Sequence, residues 1–287
     1  MSPPHLLSLG HGYSAQALSR HLIPAGWKVT GTTRRDDKAA RLMDEGVSPI
    51  LLPRDALGNF DPPVTHLLIS AGPDEYGDPM LRDFNEEIAG LAPNLVWMGY
   101  LSTTGVYGDH GGGWVDETTP LTPATQRGLA RVSAENEWQT FASKHDLPLA
   151  IFRLAGIYGP GRGPFAKVRN GTARRIIKAG QVFSRIHVED IANTLLASIN
   201  RPQSTGLFNV CDDDPAPPQD VISYAAMLLN LPEPAAVDFE TADMTPMARS
   251  FYAESKKVSN ARIKTELGVQ LRYPDFKTGL RALLDQE

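Results

Sequence analysis

The sequence predicts an α/β fold, a doubly wound parallel sheet with a smaller C-terminal region that caps it, and three observations predict this. Leu6-Leu7-Ser8-Leu9 runs directly into Gly10-His11-Gly12-Tyr13-Ser14-Ala15, which reads as a buried strand, a glycine turn and the start of a helix. Strand-like and helix-like segments alternate from there, and several strands are apolar throughout, as strands covered by helices on both faces must be. Finally, 287 residues, 41% hydrophobic and 21% charged, supply a core for one large domain or one and a half.

The glycine corner is the Rossmann-type element. Gly10 makes the tight turn, Gly12 lets backbone approach a ligand closely, and Ala15 takes the third, small position where helix and strand pack. The free N–H groups at the helix start, those of Tyr13 and Ser14 among them, favour a negative charge because the helix dipole is positive there. Gly10, Gly12, Tyr13, Ser14 and Ala15 are therefore predicted to seat the pyrophosphate of a dinucleotide. The helix stops at Pro24-Ala25-Gly26, and Trp27 to Thr32 is the second strand. Thr33, Arg34 and Arg35 follow it, about where the adenosine ribose lies. A carboxylate there would suit the 2′-hydroxyl of NAD, whereas guanidinium groups suit a 2′-phosphate through charge-assisted paired bonds. NADP is the predicted cofactor, with NAD the alternative. The competing reading leaves both arginines solvated at the start of a helix capped by Asp36 or Asp37.

Asp37 to Glu45 is that helix, and Val47 to Leu52 a third strand, after which Asp55 is placed to accept from an adenine amino group. His66 to Ser70 is the fourth strand. Ser70, Ala71 and Gly72 are small residues along which a cofactor can pass. A helix over Pro79 to Leu91 leads to the fifth strand, Asn94 to Leu101.

That strand ends in Ser102-Thr103-Thr104-Gly105-Val106-Tyr107-Gly108. After it come the helix Arg127 to Glu135, the strand Leu149 to Leu154, Gly156-Ile157-Tyr158-Gly159-Pro160-Gly161-Arg162, and Arg185-Ile186-His187-Val188-Glu189-Asp190-Ile191-Ala192. From residue 6 to about residue 210 this order resembles the NAD(P)-dependent epimerase/dehydratase family, the extended branch of the short-chain dehydrogenase/reductases. The resemblance implies a Tyr-x-x-x-Lys pair on the helix after the fifth strand, the tyrosine as general acid/base and the lysine holding the nicotinamide ribose. Here that pair falls on Arg127 and Arg131. Arginine stays protonated and has no acceptor atom, so Arg127 cannot act as the acid/base, while Arg131 can still donate to ribose hydroxyls. Thr103 takes the family's Ser/Thr position, where it either hydrogen-bonds a substrate oxygen or simply caps the strand end. Tyr107 and Tyr158, in loops at the C-terminal edge of the sheet, are the candidate replacements for the missing proton donor, against a role in packing. The arginine that binds a sugar-nucleotide phosphate in the family, four residues before the histidine matching His187, is Phe183 here, which speaks against a nucleotide sugar. The family's habit also implies a homodimer through the helices around Met80 to Leu91 and Gly128 to Ser143.

The formal net charge of −5 argues against nucleic-acid binding. Against that acidic balance, Ile151 to Val188 carries eight basic residues, Arg153, Arg162, Lys167, Arg169, Arg174, Arg175, Lys178 and Arg185, and no Asp or Glu. An anion pocket is predicted from them, with Arg162 and Arg175 or Arg185 on the substrate anion and Arg127 as a further substrate contact. Residues 1–160 with 185–211 are expected to form the dinucleotide-binding unit, and 161–184 with 212–287 the substrate-capping one. Arg185 to Asn200 is expected to return to the sheet, and Gly206 to Cys211 to add a strand.

No metal is expected: Asp109-His110-Gly111 and Asp212-Asp213-Asp214 lack ligand spacing and read as turns. Asp116 and Glu117 could serve as acid and base in a dehydratase but read better as solvated loop charges, His187 reads as structural, and Cys211, the only cysteine, as a buried thiol. No leader or stretch of about 18 apolar residues is visible, so a cytoplasmic protein with no membrane partner is expected. The functional expectation is an NADP(H)-binding oxidoreductase, epimerase or dehydratase for an anionic small molecule, with altered proton transfer. The alternative is a non-catalytic, dinucleotide-responsive binding module.

Overall fold

Apolar runs of four to seven residues form the central strands because helices cover the sheet on both sides. The computed structural model describes residues 2–286. The chain opens with β1 (His5–Leu9), α1 (Tyr13–Leu22), β2 (Lys28–Thr33), α2 (Asp36–Asp44), β3 (Ser48–Leu51) and β4 (His66–Ile69). Next come α3 (Pro79–Leu91), β5 (Trp97–Thr103), β6 (Trp114–Val115), α4 (Gln126–Lys144), β7 (Leu149–Leu154) and β8 (Gly156–Tyr158). Then follow α5 (Phe165–Arg169), β9 (Arg175–Ile177), β10 (Arg185–His187), α6 (Val188–Ile199), β11 (Gly206–Val210) and α7 (Pro218–Leu228). β12 (Ala236–Asp238), α8 (Pro246–Phe251), β13 (Lys257–Val258), α9 (Ala261–Thr265) and α10 (Phe276–Leu284) complete it.

Seven parallel strands make one sheet in the order β3-β2-β1-β4-β5-β7-β11. Successive residues of β1 point to opposite faces, Leu6 into a core with Leu18, Leu101, Phe152 and Phe208, and Leu7 into one with Ile69, Ile88, Tyr100 and Trp138. The winding reverses between β1 and β4, and the crevice outside their C-terminal ends is where such sheets bind ligands. This is the doubly wound α/β fold that the sequence predicts.

Three details differ. The fifth strand begins at Trp97 and not Asn94, because Ala92–Asn94, with Pro93 inside it, forms a short 3-10 turn. Neither Asp36 nor Asp37 caps α2; its N-cap is Arg35, and both acids lie in the first turn. Arg185 to Asn200 adds no strand to the large sheet: β10 pairs only with β8, and α6 returns as a layer packed on α1. His187 fixes that return by accepting from the Glu189 N–H through Nδ1 at 3.2 Å, which makes it the N-cap of α6. Two further parallel ribbons pair β9 with β12 and β6 with β13; Val115 and Val258 of the second join the main core, Ile176 of the first packs with Ala242 and Tyr252, and a separate core of Phe165, Ala225, Phe276 and Leu280 underlies the smaller region.

Candidate active site

The β1–α1 corner is braced from both sides. Gly10 takes a φ of +79°, and a Cβ there would stand 2.7 Å from the Ala71 nitrogen, so both conformation and space demand glycine. Its N–H donates to Thr32 Oγ1 at 2.7 Å, and Ser70 Oγ donates to its carbonyl at 2.5 Å. Gly12 differs: its φ is −96°, and a Cβ would meet nothing closer than the Gly10 carbonyl at 3.7 Å. That vacant volume lies at the N-cap of α1, where no side chain caps the helix and no acid occupies the first turn. The positive end of the dipole is uncompensated, so the residues fit a dinucleotide pyrophosphate. Ala15 is wholly buried and Ser14 nearly so, which seats α1 tightly on the sheet.

Sequence reasoning passed over His11. Its ring fills the space over Gly31, where a Cβ would strike it at 2.7 Å, and burial lowers its pKa to about 4. It is neutral and adds no charge to the corner.

At the end of β2, Thr33 is buried, and its hydroxyl accepts from the Arg35 N–H at 3.3 Å. Arg35 spends its guanidinium on Asp37 in two bonds of 2.9 and 2.5 Å. Arg34 is exposed and makes no hydrogen bond or ion pair among the described residues. Asp55 turns inward, one oxygen accepting from the Leu51 N–H at 2.8 Å.

Across the crevice, Arg131 donates to the Tyr100 hydroxyl at 3.0 Å and the Leu101 carbonyl at 2.7 Å. It reaches the Gly72 loop as well, its other terminal nitrogen lying 3.5 Å from where a Gly72 Cβ would stand. Thr103 Oγ1 accepts from the Gly105 N–H at 3.2 Å, which leaves its own hydrogen uncommitted. Thr125 caps α4, and Gly128 packs against the Gly105 carbonyl. Arg127 is exposed on the first turn of α4, 5.8 Å from the Phe251 ring.

The two candidate tyrosines are both buried. Tyr107 is wholly enclosed: its hydroxyl donates to Asn209 Oδ1 at 2.8 Å, accepts from Arg153 at 3.0 Å, and burial pushes its pKa up. Tyr158 is also buried, with its hydroxyl 3.4 Å from the Asp275 carbonyl and its pKa raised by burial. Tyr107 is committed to packing and to its hydrogen bonds, which removes it as an exposed proton donor, whereas Tyr158, though buried, lines the cavity that holds Arg162 and Arg185.

The eight basic residues do not converge. Arg153 is buried in a paired salt bridge with Glu135 at 2.7 Å, part of a chain from Ser102 to Asn209 that the sequence did not reveal. Arg175 pairs with Glu233 at 2.9 Å and the Pro234 carbonyl at 2.8 Å, which takes it away from any substrate. Arg162 and Arg185 do come together, on the wall of one cavity of about 340 Å³. Arg162 lies 4.5 Å over the Tyr13 ring, and the Tyr13 hydroxyl donates to the Pro160 carbonyl at 2.9 Å, so this cavity adjoins the dinucleotide corner. Among the described residues no three metal-ligating side chains converge, and no helix is long and apolar enough to cross a membrane.

Comparison with known proteins agrees with this architecture. The sequence profile of the NAD dependent epimerase/dehydratase family matches residues 95–211. Protein YeeZ of Escherichia coli K12 is 31% identical over 288 aligned positions, covering 93% of this chain and 95% of its own. The structure of a functionally unknown conserved protein from Silicibacter pomeroyi is 57% identical and superposes with a TM-score of 0.92 over 99% of both chains. At 16% identity, a Bacillus cereus UDP-glucuronic acid 4-epimerase in complex with NAD shares the fold, with a TM-score of 0.74 over 98% of this chain and 99% of that one. The chain therefore belongs to the NAD dependent epimerase/dehydratase family.

Proposed function

We propose that the protein is an NADP(H)-dependent oxidoreductase or epimerase-like enzyme acting on an anionic small molecule, with the proton-transfer role of the family tyrosine left unfilled. The observation that carries this reading is Arg34: exposed, two residues beyond the Thr32 that braces the Gly10 turn, and tied by no hydrogen bond among the described residues, its one acidic neighbour Asp74 being hydrogen-bonded to Arg82 and acting on it only through the charge. A guanidinium with its N–H groups uncommitted at that place suits a 2′-phosphate. The uncapped α1 terminus and the vacant volume at Gly12 hold the pyrophosphate, and Arg131 donates to ribose hydroxyls. When bound, the dinucleotide supplies or accepts a hydride. Thr103 donates its free hydroxyl hydrogen to the reacting oxygen. Arg127 stabilises negative charge there without exchanging a proton, because arginine is not deprotonated at working pH. Arg162 and Arg185 hold the substrate's anionic group.

Titrating NADPH and NADH calorimetrically into dinucleotide-free protein tests the reading. NADPH is expected to bind at least about tenfold tighter, near 1.4 kcal/mol of preference. Equal or tighter binding of NADH removes the 2′-phosphate assignment, and binding of neither removes the dinucleotide altogether.

The enclosure of Tyr107 and Tyr158 favours a second reading, a module that binds dinucleotide without turning substrate over. Restoring Arg127→Tyr with Arg131→Lys separates the two. If the parent already turns over and the double variant does not, the non-catalytic reading falls. A homodimer through α3 and α4, whose shared groove presents Tyr76, Leu81, Asn136 and Phe141, accompanies either reading and is checked by light scattering.

A further inference from the structure

We propose that the cavity between Arg162 and Arg185 takes a small carboxylate with an apolar aromatic or branched aliphatic body, and not a nucleotide sugar. This names the substrate class of the reading above and rests on it. The charge in the cavity comes from the two guanidinium groups. Arg185 is anchored through one nitrogen, which donates to the carbonyls of Phe183 at 2.9 Å and Ala216 at 3.0 Å, so its position is fixed before any ligand arrives. Arg162 stacks on Tyr13 and carries no ion pair among the described residues. Planar guanidinium groups match the two oxygens of a carboxylate.

Asp212 stands beside Arg185, its N–H donating to the Arg185 carbonyl at 2.7 Å, where an ionised carboxylate would cancel one of these charges. Its carboxyl is buried with no side-chain hydrogen-bond partner, and burial raises its pKa to about 8 against the opposing pull of the Arg185 charge and the Asp214 backbone. Burial thus keeps this carboxyl more protonated than an ordinary aspartate, so it offsets less of the arginine charge that faces an anion.

The rest of the wall is apolar: Ile157, Pro164, Val221, Phe276 and Leu280, with Gly163 between. Its one hydroxyl, on Tyr158, already points at the Asp275 carbonyl. A sugar brings several hydroxyl groups that need partners once buried, and beyond the two guanidinium groups the side chains of this wall have none to give. An apolar body loses nothing against it. At about 340 Å³ the cavity sits at the small end of ligand clefts, which run roughly from 300 to 1,000 Å³. Through Arg162 the head of the bound acid lies beside Tyr13, on the dinucleotide side of the cavity.

Calorimetric titration of the full-length protein with hydrocinnamate, isocaproate, hydrocinnamamide and UDP-glucose, each with and without saturating NADPH, tests the inference. At least one of the two acids is expected to bind saturably, the neutral amide at least about tenfold more weakly than hydrocinnamate, and UDP-glucose not to displace the acid. Arg162→Met, which removes one charge, and Val221→Asp, which sets a like charge against the ligand body, are each expected to weaken acid binding at least about tenfold. An unchanged melting transition confirms that these variants are folded. Binding of UDP-glucose in place of the acids, equal binding of hydrocinnamate and its amide, absence of saturable acid binding, or full affinity in both variants overturns the proposal. A failure of NADPH to bind counts against the dinucleotide reading alone, because the acid titrations without NADPH still report on the cavity.

Discussion

Gly10 and Gly12 stand two residues apart and answer to different demands. Gly10 is required by its left-handed backbone and its approach to Ala71, whereas Gly12 has an ordinary φ and open space. Gly10→Ala is therefore expected to lower stability by about 2–4 kcal/mol in denaturant unfolding, from strain and overpacking together. Gly12→Ala should leave the unfolding midpoint nearly unchanged and weaken dinucleotide binding at least about tenfold by filling the space a phosphate needs, a difference of about 1.4 kcal/mol. The arginines after β2 divide in the same way. Arg34→Ala should erase most of the preference for NADPH over NADH, and Arg35→Ala much less, because Arg35 is already paired with Asp37. Equal losses in the two variants would mean that the Arg35–Asp37 pair opens to the ligand, since exposed pairs of this kind hold weakly. The glycine corner was legible in the sequence because its spacing is imposed by local backbone geometry. The unequal fates of Arg34, Arg35 and Arg175 were not, since each depends on whether an acid arrives from elsewhere, and Glu233 reaches Arg175 only through the pairing of β9 with β12.

At the scale of elements, α4 is tied to the sheet by a contact that no periodicity announces. Glu135 accepts from Ser102 at the end of β5 and from Arg153 on β7, with both charged partners nearly free of solvent. The pair lies one turn beyond Arg131, so it fixes the helix that carries Arg127 and Arg131 against the strand that carries Thr103. Removing one member of a buried pair strands the other charge, so Glu135→Gln is expected to cost about 3–5 kcal/mol in denaturant unfolding. Glu135→Leu combined with Arg153→Met should cost less than Glu135→Gln, because no charge is left unpaired. A double variant worse than the single one would show that the pair contributes through packing and not through charge. The strands around this contact were readable from their apolar runs, and Leu149–Leu154 and Pro79–Leu91 fall where the sequence predicts them. The contact itself was hidden. Arg153 looked like one of eight solvated or ligand-binding basics, and only the tertiary fold brings it to a glutamate 18 residues earlier.

For the whole molecule, buried groups held neutral set how stability varies with pH. Burial lowers His11, His66 and His187 to about 4 from an ordinary 6.5. Between about pH 4 and 6.5 the unfolded chain binds protons on these rings that the folded chain refuses, so stability rises with pH across that window. Asp212 acts in the opposite sense. It keeps its proton in the folded state up to about pH 8 but loses it near 3.8 when unfolded, so its contribution falls with pH from about 4 to 8. Burial pushes Asp78 and Asp190 upward too, with the same sign. Below pH 6.5 the three histidines outweigh Asp212. Above it they are neutral in both states and only the carboxyl remains. The melting temperature followed by calorimetry is thus expected to climb from pH 4.5, peak near pH 6.5 and decline towards pH 8. Asp212→Asn replaces the carboxyl by a neutral group of the same shape, whose amide oxygen can still accept from backbone. The variant should keep the acid limb, lose most of the decline above pH 6.5, and exceed the parent by a few kcal/mol near pH 8. A decline of equal depth in parent and variant would place the alkaline titration elsewhere. The same ionisation would then no longer bear on the arginines beside it, and acid binding between Arg162 and Arg185 would hold steady to pH 8 instead of weakening as Asp212 charges.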